Sequence, residues 1–309
     1  MTTTQGERQD APACYRHPKR ETYVRCTRCD RYICPDCMRT AAVGQQCVDC
    51  VREGNRTIRQ GRTVFGGKVS ATPWATYVLI AVNVLAYLGE LAKPDLVDKF
   101  GSLGIGMVGP DGALYAADGL TPPGFESVGI AYGESYRLIT SAFLHLPPMD
   151  GGFGILHIVF NMWWLWRLGR PTEEMLGRWR FLALYLLAAL GSSVLGYLID
   201  PDMNAVGASG AVFGLVAAYW IFMRRLGHSM DEANRLVVFS LIWLVVSAGF
   251  TAWQGHLGGL LAGGAIALAF AHAPRERRVL VQAGAAAAML VLLAVLVVVK
   301  TSELGGTLL

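Results

Sequence analysis

Cysteine, charge and a secretory leader are scarce over most of this sequence. Beyond residue 50 the 309-residue chain contains no cysteine, so disulfide bonds cannot stabilise its larger part. Only 16% of the residues are charged and 53% are hydrophobic, and the mean hydropathy of +0.38 argues against an ordinary soluble domain. Residues 1–73 lack the apolar stretch of a signal peptide, so we expect no cleaved leader. The net charge of +4 follows membrane topology, as shown below, and we expect no nucleic-acid partner.

All seven cysteines lie in the first fifty residues and recur at a fixed spacing. Four ligand pairs, each separated by two residues, are Cys14 and His17, Cys26 and Cys29, Cys34 and Cys37, and Cys47 and Cys50. Eight ligands suffice for two closed tetrahedral zinc sites, and His17 explains the odd number of cysteines. A disulfide framework is the alternative, but it would leave one thiol unpaired and the histidine without a role. We therefore predict two structural zinc ions and no cofactor for catalysis.

Residues 14–50 resemble B-box and related cross-braced zinc fingers. The resemblance implies that the first and third pairs share one metal and that the second and fourth pairs share the other; the spacing alone does not decide this. Because large apolar residues are few here, the metal is expected to supply most of the folding free energy. Thiolate ligands favour the reducing cytosol. We assign residues 1–52 to this module, for which a cytosolic protein is a candidate partner, and residues 53–73 to a basic juxtamembrane linker that contains Arg56, Arg59, Arg62 and Lys68.

Seven apolar runs follow the linker. They cover residues 74–92, 153–168, 181–199, 205–223, 236–253, 255–273 and 279–299. Most are long enough to cross the ~30 Å hydrocarbon layer as helices. Of the 27 lysines and arginines, 23 lie before the first run or after the second, fourth and sixth, when Arg167 at the end of the second run is counted. The positive-inside rule then predicts a multi-pass protein of the lipid bilayer with a cytosolic N-terminus and an external C-terminus.

Polar residues recur near the start of the second, fourth and sixth runs, which all run inward in this topology. His157 and Asn161 are four residues apart and share one helix face, Ser209 lies about one turn into the fourth run, and His256 begins the sixth. Each has a structural alternative: Ser209 as a small packing residue, Asn161 as a link between helices, and either histidine as a structural group. Their convergence at one depth favours a functional site, because unpaired polar groups in lipid are costly.

These groups are sufficient for acyl transfer. His256 can accept the Ser209 proton, and His157, Asn161 and the Ser209 amide can donate to an oxyanion. These three runs contain no internal acidic residue, so the sequence predicts a Ser–His dyad. Phe213, one turn beyond Ser209, can stack on the His256 ring. Glycines at 255, 258, 259 and 263 would let the sixth helix approach the fourth.

The four motifs resemble those of the rhomboid family of intramembrane serine proteases. They are "GESYRLITSAFLH" (133–145), "HIVFNM" (157–162), "GASG" (207–210) and "HLGGLLAGG" (256–264). The resemblance implies an all-α polytopic fold with a six-helix catalytic core at 74–275, followed by a seventh helix and short tail at 276–309. It also implies Ser209 as nucleophile, His256 as base, His157 and Asn161 as oxyanion donors, and support from Gly207 and Phe213. The implied substrates are transmembrane proteins, cut in or near the membrane, and the implied location is a bacterial cell membrane with the site facing outward.

Departures from the family pattern leave these catalytic groups intact. Tyr136 stands where a tryptophan is frequent, Arg137 matches a structural arginine, and residues 146–154 read as an insertion. A rhomboid-like pseudoprotease that binds clients without cutting them is the alternative, disfavoured because Ser209 and His256 are both present. A transporter is disfavoured because we expect the span interiors to lack the Asp, Glu, Lys or Arg of a proton or ion pathway. A membrane-tethered zinc scaffold would not explain the convergence of polar residues.

Overall fold

The computed structural model describes residues 11–57, 61–117, 121–147, 153–249 and 251–307, and it divides into two compact units. The first unit ends at Gln60 and the second begins at Gly61, whereas the predicted module ended at 52. Residues 1–10, predicted as part of the module, and Arg59, predicted in the linker, lie outside the described residues. So do residues 148–152 of the predicted insertion.

The first unit is small and has cysteine at its centre. Strands β1 (Met38–Thr40) and β2 (Gln45–Cys47) pair antiparallel and are followed by helix α1 (Val48–Thr57). Six of the seven cysteines are buried, and Ile33 is the large aliphatic side chain packed among them. So little apolar volume cannot stabilise a unit of this size alone, which is the situation in which a bound metal supplies the folding free energy.

The second unit is built of long helices. They are α2 (Trp74–Ala92), α5 (Phe153–Leu176), α6 (Arg178–Ile199), α7 (Ser209–Leu226), α8 (Asp231–Val246), α9 (Trp253–His272) and α10 (Arg278–Thr307). A helix thus occurs at each of the seven predicted apolar runs. Four of them, α2, α6, α9 and α10, are long and apolar enough to span a membrane by length and composition. For α5, α7 and α8, spanning stays a prediction.

Several helix ends differ from the apolar runs. Helix α7 begins at Ser209 itself and not at 205, so the serine is its first residue and not one turn inside it. Helix α8 begins at Asp231, five residues before the predicted run, because hydropathy detects only the apolar part of a helix that starts with Asp231 and Glu232. Acidic residues at that end are favourable for the helix dipole.

The long segment between α2 and α5 contains short elements. Helix α3 (Asp95–Phe100) precedes a three-stranded antiparallel sheet of β3 (Gly106–Val108), β4 (Leu114–Tyr115) and β5 (Glu126–Val128), in the order β4-β3-β5, and helix α4 (Arg137–Thr140) follows. Arg137 is 2% exposed and donates to the carbonyls of Asp98 and Gly101 and to the carboxylate of Glu134. These bonds tie the segment together, which is a structural role.

Part of the predicted linker belongs to the second unit. Residues 53–57 continue α1, but residues 61–73 fold with the helices. The Phe65 side chain is buried, and its ring lies 4.6 Å from that of Phe222 on α7. The buried Phe65 ring and the bond from the Phe65 N–H to the Met175 carbonyl hold this segment against the helices, and counting charges in the sequence did not reveal these contacts.

Candidate active site

Ser209 and His256 meet where α7 and α9 begin. The Ser209 Oγ lies 2.9 Å from the His256 Nε2, across 47 residues of sequence. Ser209 is half-buried and His256 is 7% exposed. As the first residue of α7, Ser209 lies among the backbone N–H groups that have no partner within the helix and that carry the positive end of the helix dipole. A hydroxyl, an imidazole nitrogen and backbone donors therefore lie together, and these are the groups that nucleophilic catalysis requires.

The orientation of the His256 ring depends on an aromatic contact. Its ring stacks on that of Phe213, with centroids 4.5 Å apart and planes 7° apart. Within the described part of the chain, the His256 Nδ1 is buried and has no hydrogen-bond partner. Among the described residues no carboxylate orients this histidine, and the Phe213 ring packs against it instead. Ser209 and His256 thus form a hydrogen-bonded pair without a third member in the described structure.

Glycines allow α7 and α9 to come this close. A Cβ atom on Gly259 of α9 would lie 1.9 Å from the carbonyl oxygen of Gly210 on α7, and one on Gly263 would lie 2.4 Å from the Gly214 Cα. Both distances are far below van der Waals contact, so the two backbones pack directly on one another. The Ser209–His256 distance thus depends on residues that carry no functional group.

Gly207 leaves a space beside the serine. It has φ +130°, and a Cβ atom on it would lie 2.9 Å from the His157 Nε2 and 3.6 Å from the Ser209 Oγ. The backbone N–H of Leu146 donates to the His157 Nδ1 at 3.2 Å, which places the proton of a neutral ring on Nε2. The space is therefore bounded by a hydrogen-bond donor on one side and the serine oxygen on the other.

Asn161 lies one turn further along α5 and is 5% exposed. Its Nδ2 donates to the carbonyl of His157 at 2.8 Å, and its Oδ1 is buried without a partner among the described residues. In this conformation the amide makes a bond within its own helix. To donate to an oxyanion it would have to exchange that bond, whereas His157 already carries a proton on Nε2.

These residues line a cavity of about 610 Å³. The walls come from α5 to α9, from the segment before α7 and from the segment between α2 and α5, and they include Ser209, His256, His157, Asn161 and Phe213. Trp163 and Trp164 of α5, with Phe239 and Trp243 of α8, form an aromatic part of the lining. A mainly apolar cavity with aromatic rings in its lining and the Ser209 hydroxyl at its wall suits an apolar polypeptide segment with its backbone at the serine.

Sequence reasoning missed a buried carboxylate. Glu90 lies within the first predicted span and is 4% exposed, so the expectation that span interiors lack acidic residues is wrong at this position. Both of its oxygens accept the backbone N–H of His145, whose ring lies 5.2 Å from that of His157. Glu90 therefore fixes the chain next to His157. A glutamate in an otherwise apolar helix was the signal that could have revealed it.

The predicted metal ligands form two clusters in the first unit. Cys14, His17, Cys34 and Cys37 make one, and Cys26, Cys29, Cys47 and Cys50 make the other, with all ligand atoms of a cluster within 4.8 Å of one another. This grouping is the cross-brace that the resemblance implied. The Sγ atoms of Cys29 and Cys47 are 3.7 Å apart, far beyond the ~2.05 Å of a disulfide.

The donor set and the distances fit a tetrahedral metal. Ligands around zinc with ~2.3 Å bonds to sulfur lie roughly 3.8 Å apart. The His17 Nδ1 lies 3.2 Å from the Cys34 Sγ and 3.5 Å from the Cys37 Sγ. Backbone N–H groups of Cys47 and Cys50 donate to the sulfurs of Cys26 and Cys47, which stabilises thiolates. Both clusters could therefore hold a metal ion.

Comparison with known proteins finds similarity to one family. Residues 132–273 match the family model described as the rhomboid domain. The chain is 35% identical over 144 residues to the rhomboid protease GluP of Bacillus subtilis, which covers 45% of this chain and 26% of that protein. It is 32% identical over 140 residues to the rhomboid protease GlpG of Yersinia pseudotuberculosis, covering 43% and 47%, and 30% identical over 153 residues to that of Salmonella newport, covering 47% and 51%.

The aligned segments thus span about a quarter of the Bacillus protein and about half of the GlpG proteins. The match covers α5 to α9, which supply the serine, both histidines and the asparagine, and it leaves the cysteine-rich unit outside. Residues 132–273 of the helical unit therefore match a rhomboid domain, and the chain also has an N-terminal cysteine and histidine module whose ligands fit zinc.

Proposed function

We propose that this protein is an intramembrane serine protease that hydrolyses peptide bonds in or next to transmembrane segments of other membrane proteins. The observation that carries the proposal is the 2.9 Å contact between the Ser209 Oγ and the His256 Nε2 at the wall of an aromatic cavity. The rhomboid domain and the proteases to which it is similar support the same reaction class.

The reaction begins with proton transfer within the dyad. The His256 Nε2 accepts the Ser209 proton while the Oγ attacks the carbonyl carbon of the scissile bond. The carbonyl oxygen becomes an oxyanion, which we assign to the space beside Gly207, with donors from the His157 Nε2, the N-terminal amides of α7 and, after a side-chain rotation, Asn161. His256 then returns the proton to the leaving amine, and the C–N bond breaks.

The second half of the reaction uses the same groups. The acyl group is held as an ester on Ser209, and a water molecule gives its proton to the His256 Nε2 as it attacks the ester carbonyl. The intermediate collapses to release the new carboxyl end and to restore the serine hydroxyl. Phe213 keeps the His256 ring in place through both halves, since no carboxylate partners its Nδ1 in the described residues.

We further propose zinc as the metal of both clusters in the first unit. Zinc there would cross-link chain segments that lack an apolar core, and it would take no part in hydrolysis.

We retain the predicted topology, with this unit in the cytosol and the site opening to the outer side. We also retain a bacterial cell membrane as the location, since the relatives named above are bacterial. A cytosolic protein remains the candidate partner of the module.

The proposal is tested by incubating the purified full chain in detergent with a generic transmembrane substrate. Ser209→Ala and His256→Ala should each lower the rate on the order of 10⁴-fold or more, and the double variant should be no worse than either. A serine-reactive phosphonate should label Ser209 only, and labelling should fall sharply without His256. Ser302→Ala is the matched control, because it removes a hydroxyl that bonds a helix carbonyl on α10 and should retain the full rate.

Two results would contradict the proposal. If folded Ser209→Ala cleaves the substrate at the wild-type rate, the serine is packing and the protease assignment fails. If the wild type binds transmembrane segments but neither cleaves them nor reacts with the phosphonate, the protein is the rhomboid-like pseudoprotease considered as the alternative.

A further inference from the structure

A second cavity lies at the opposite end of the helical unit from the dyad. It has a volume of about 650 Å³ and lies where α9 ends and where α6 and α10 begin. Five arginines line it, together with the single carboxylate of Glu276; the arginines are Arg62, Arg180, Arg275, Arg277 and Arg278. In the predicted topology this end faces the cytosol.

The positive charge of this cavity is not compensated within the described residues. In the described parts of the chain, no carboxylate lies within 4.0 Å of any of the five arginines, and this holds for the carboxylate of Glu276 as well. The positive charges of Arg62 and Arg278 repel that of Arg180. Five like charges around one concavity repel one another, and a bound anion would remove that cost.

Neutral groups hold three of these arginines in position. The Arg180 Nε donates to the Gln282 Oε1 at 2.6 Å, and Gln282 in turn donates to the carbonyls of Phe65 and Phe270. Arg278 and Arg62 donate to the carbonyls of Val64 and Gly66, each at 3.2 Å. These bonds orient the side chains without neutralising them. The Arg278 Nε is buried and has no partner among the described residues.

The rim of the cavity is apolar and lies at the expected depth of a membrane surface. Val279, Leu280 and Ala283 of α10 complete the lining, and Val279 and Leu280 are 62% and 72% exposed. Helices α6 and α10 are both candidate membrane spans, and the cavity lies at their first residues. Next to Arg180 in sequence, Trp179 is 76% exposed. Exposed tryptophans are typical of the level at which a helix enters the membrane.

We infer that this cavity binds the phosphate group of an anionic phospholipid, with the arginines around the headgroup and the exposed apolar face of α10 along the acyl chains. Guanidinium groups bind phosphate oxygens in paired hydrogen bonds, and basic pockets between membrane helices are suited to such headgroups. Free phosphate shares the headgroup chemistry but would leave the apolar rim unused. The inference concerns binding alone and is independent of whether the protein is a protease.

The test titrates the purified full chain in neutral detergent with dioctanoyl phosphatidylglycerol and counts bound lipid by native mass spectrometry. One lipid should bind saturably. Dioctanoyl phosphatidylcholine, of the same chain length but without net charge, should bind at least tenfold more weakly. Inorganic phosphate should displace phosphatidylglycerol only at phosphate concentrations far above the half-saturating concentration of phosphatidylglycerol.

The main variant is Arg275→Gln/Arg277→Gln, because neither side chain makes a hydrogen bond in the described structure and folding should be unaffected. Its affinity for the anionic lipid should fall roughly 25-fold, at about fivefold for each arginine near a membrane surface. Arg278→Gln should weaken binding as a single change. The matched control is Arg224→Gln/Arg225→Gln, which removes two exposed charges from the last turn of α7, outside the cavity lining. It should bind the lipid as the wild type does.

Three results would overturn the inference. Equal loss of binding in the control would mean general charge attraction without a site. Equal affinity for phosphatidylcholine would mean an apolar groove, and displacement by phosphate at the lipid's own concentration would mean a simple anion site. The unfolding midpoint of each variant in detergent establishes that it is folded before binding is compared.

Discussion

The ring of Phe213 lies parallel to that of His256, 4.5 Å away, on the face of α7 that also carries Ser209. One helix thus supplies both the nucleophile and the surface against which its base is packed. Because the His256 Nδ1 has no hydrogen-bond partner in the described residues, this contact and the bond between Nε2 and Ser209 restrain the ring's orientation.

Phe213→Leu should therefore lower kcat up to about tenfold with little change in KM, since an aromatic stack of this kind is worth ~0.5–1.5 kcal/mol. Phe222→Leu is the matched control, because it removes an equally buried ring from the other end of α7. It should cost stability without slowing the reaction with a phosphonate. Equal phosphonate rates in Phe213→Leu and the wild type would contradict a positioning role.

The oxyanion donors can be separated by comparing His157→Ala with Asn161→Ala. A single donor is typically worth ~10²–10³ in rate. We expect the larger loss in kcat from His157→Ala, because its Nε2 borders the space beside Gly207, whereas the Asn161 amide is bonded to its own helix. Steady-state kinetics with one substrate give both values. Unchanged rates in both variants would leave the two residues with a structural role only.

Gly259→Ala should disrupt the contact between α7 and α9. Its new Cβ would lie 1.9 Å from the Gly210 carbonyl oxygen, so the helices must separate, at a cost of ~1–3 kcal/mol for overpacking. Gly264→Ala is the control on the same helix, since its Cβ would meet Ala217 at an ordinary 3.5 Å. The unfolding midpoint and the cleavage rate should both fall only in Gly259→Ala. An unaffected variant would show that the spacing tolerates a methyl group.

The cysteine-rich unit should contain two zinc ions per chain, measured by elemental analysis of the purified protein. Cys34→Ser should lower the count to one, because Cys34 belongs to a single cluster, while Thr40→Ser in β1 should leave it at two. Strong chelators should unfold this unit.

Deleting residues 1–60 should leave cleavage in detergent largely intact, because the site residues all lie in the second unit. The full chain after incubation with a chelator is the control. Loss of hydrolysis in a truncated protein that still unfolds cooperatively would show that the first unit is needed for catalysis.

Local patterns in the sequence were sufficient to predict several features. Apolar runs long enough to span a bilayer predicted a helix at each of seven places. The four pairs of cysteine or histidine separated by two residues predicted the eight members of the two clusters. The sequence also predicted that Ser209 and His256 act together, and their 2.9 Å contact shows that the two side chains meet. Their catalytic role stays a prediction. The runs and the spacing are short-range properties, readable from residues within one element.

Contacts between distant elements required the tertiary structure. The approach of His256 to Ser209 depends on which glycines of α7 and α9 face each other, and the bond from His145 to Glu90 joins segments 55 residues apart. The arginine cavity collects residues from the segment before α2, from α6 and from the turn before α10. Hydropathy and spacing carry no information on such pairings, because they are decided by shape complementarity across the whole bundle, where the absence of a single methyl group determines how closely two helices can pack.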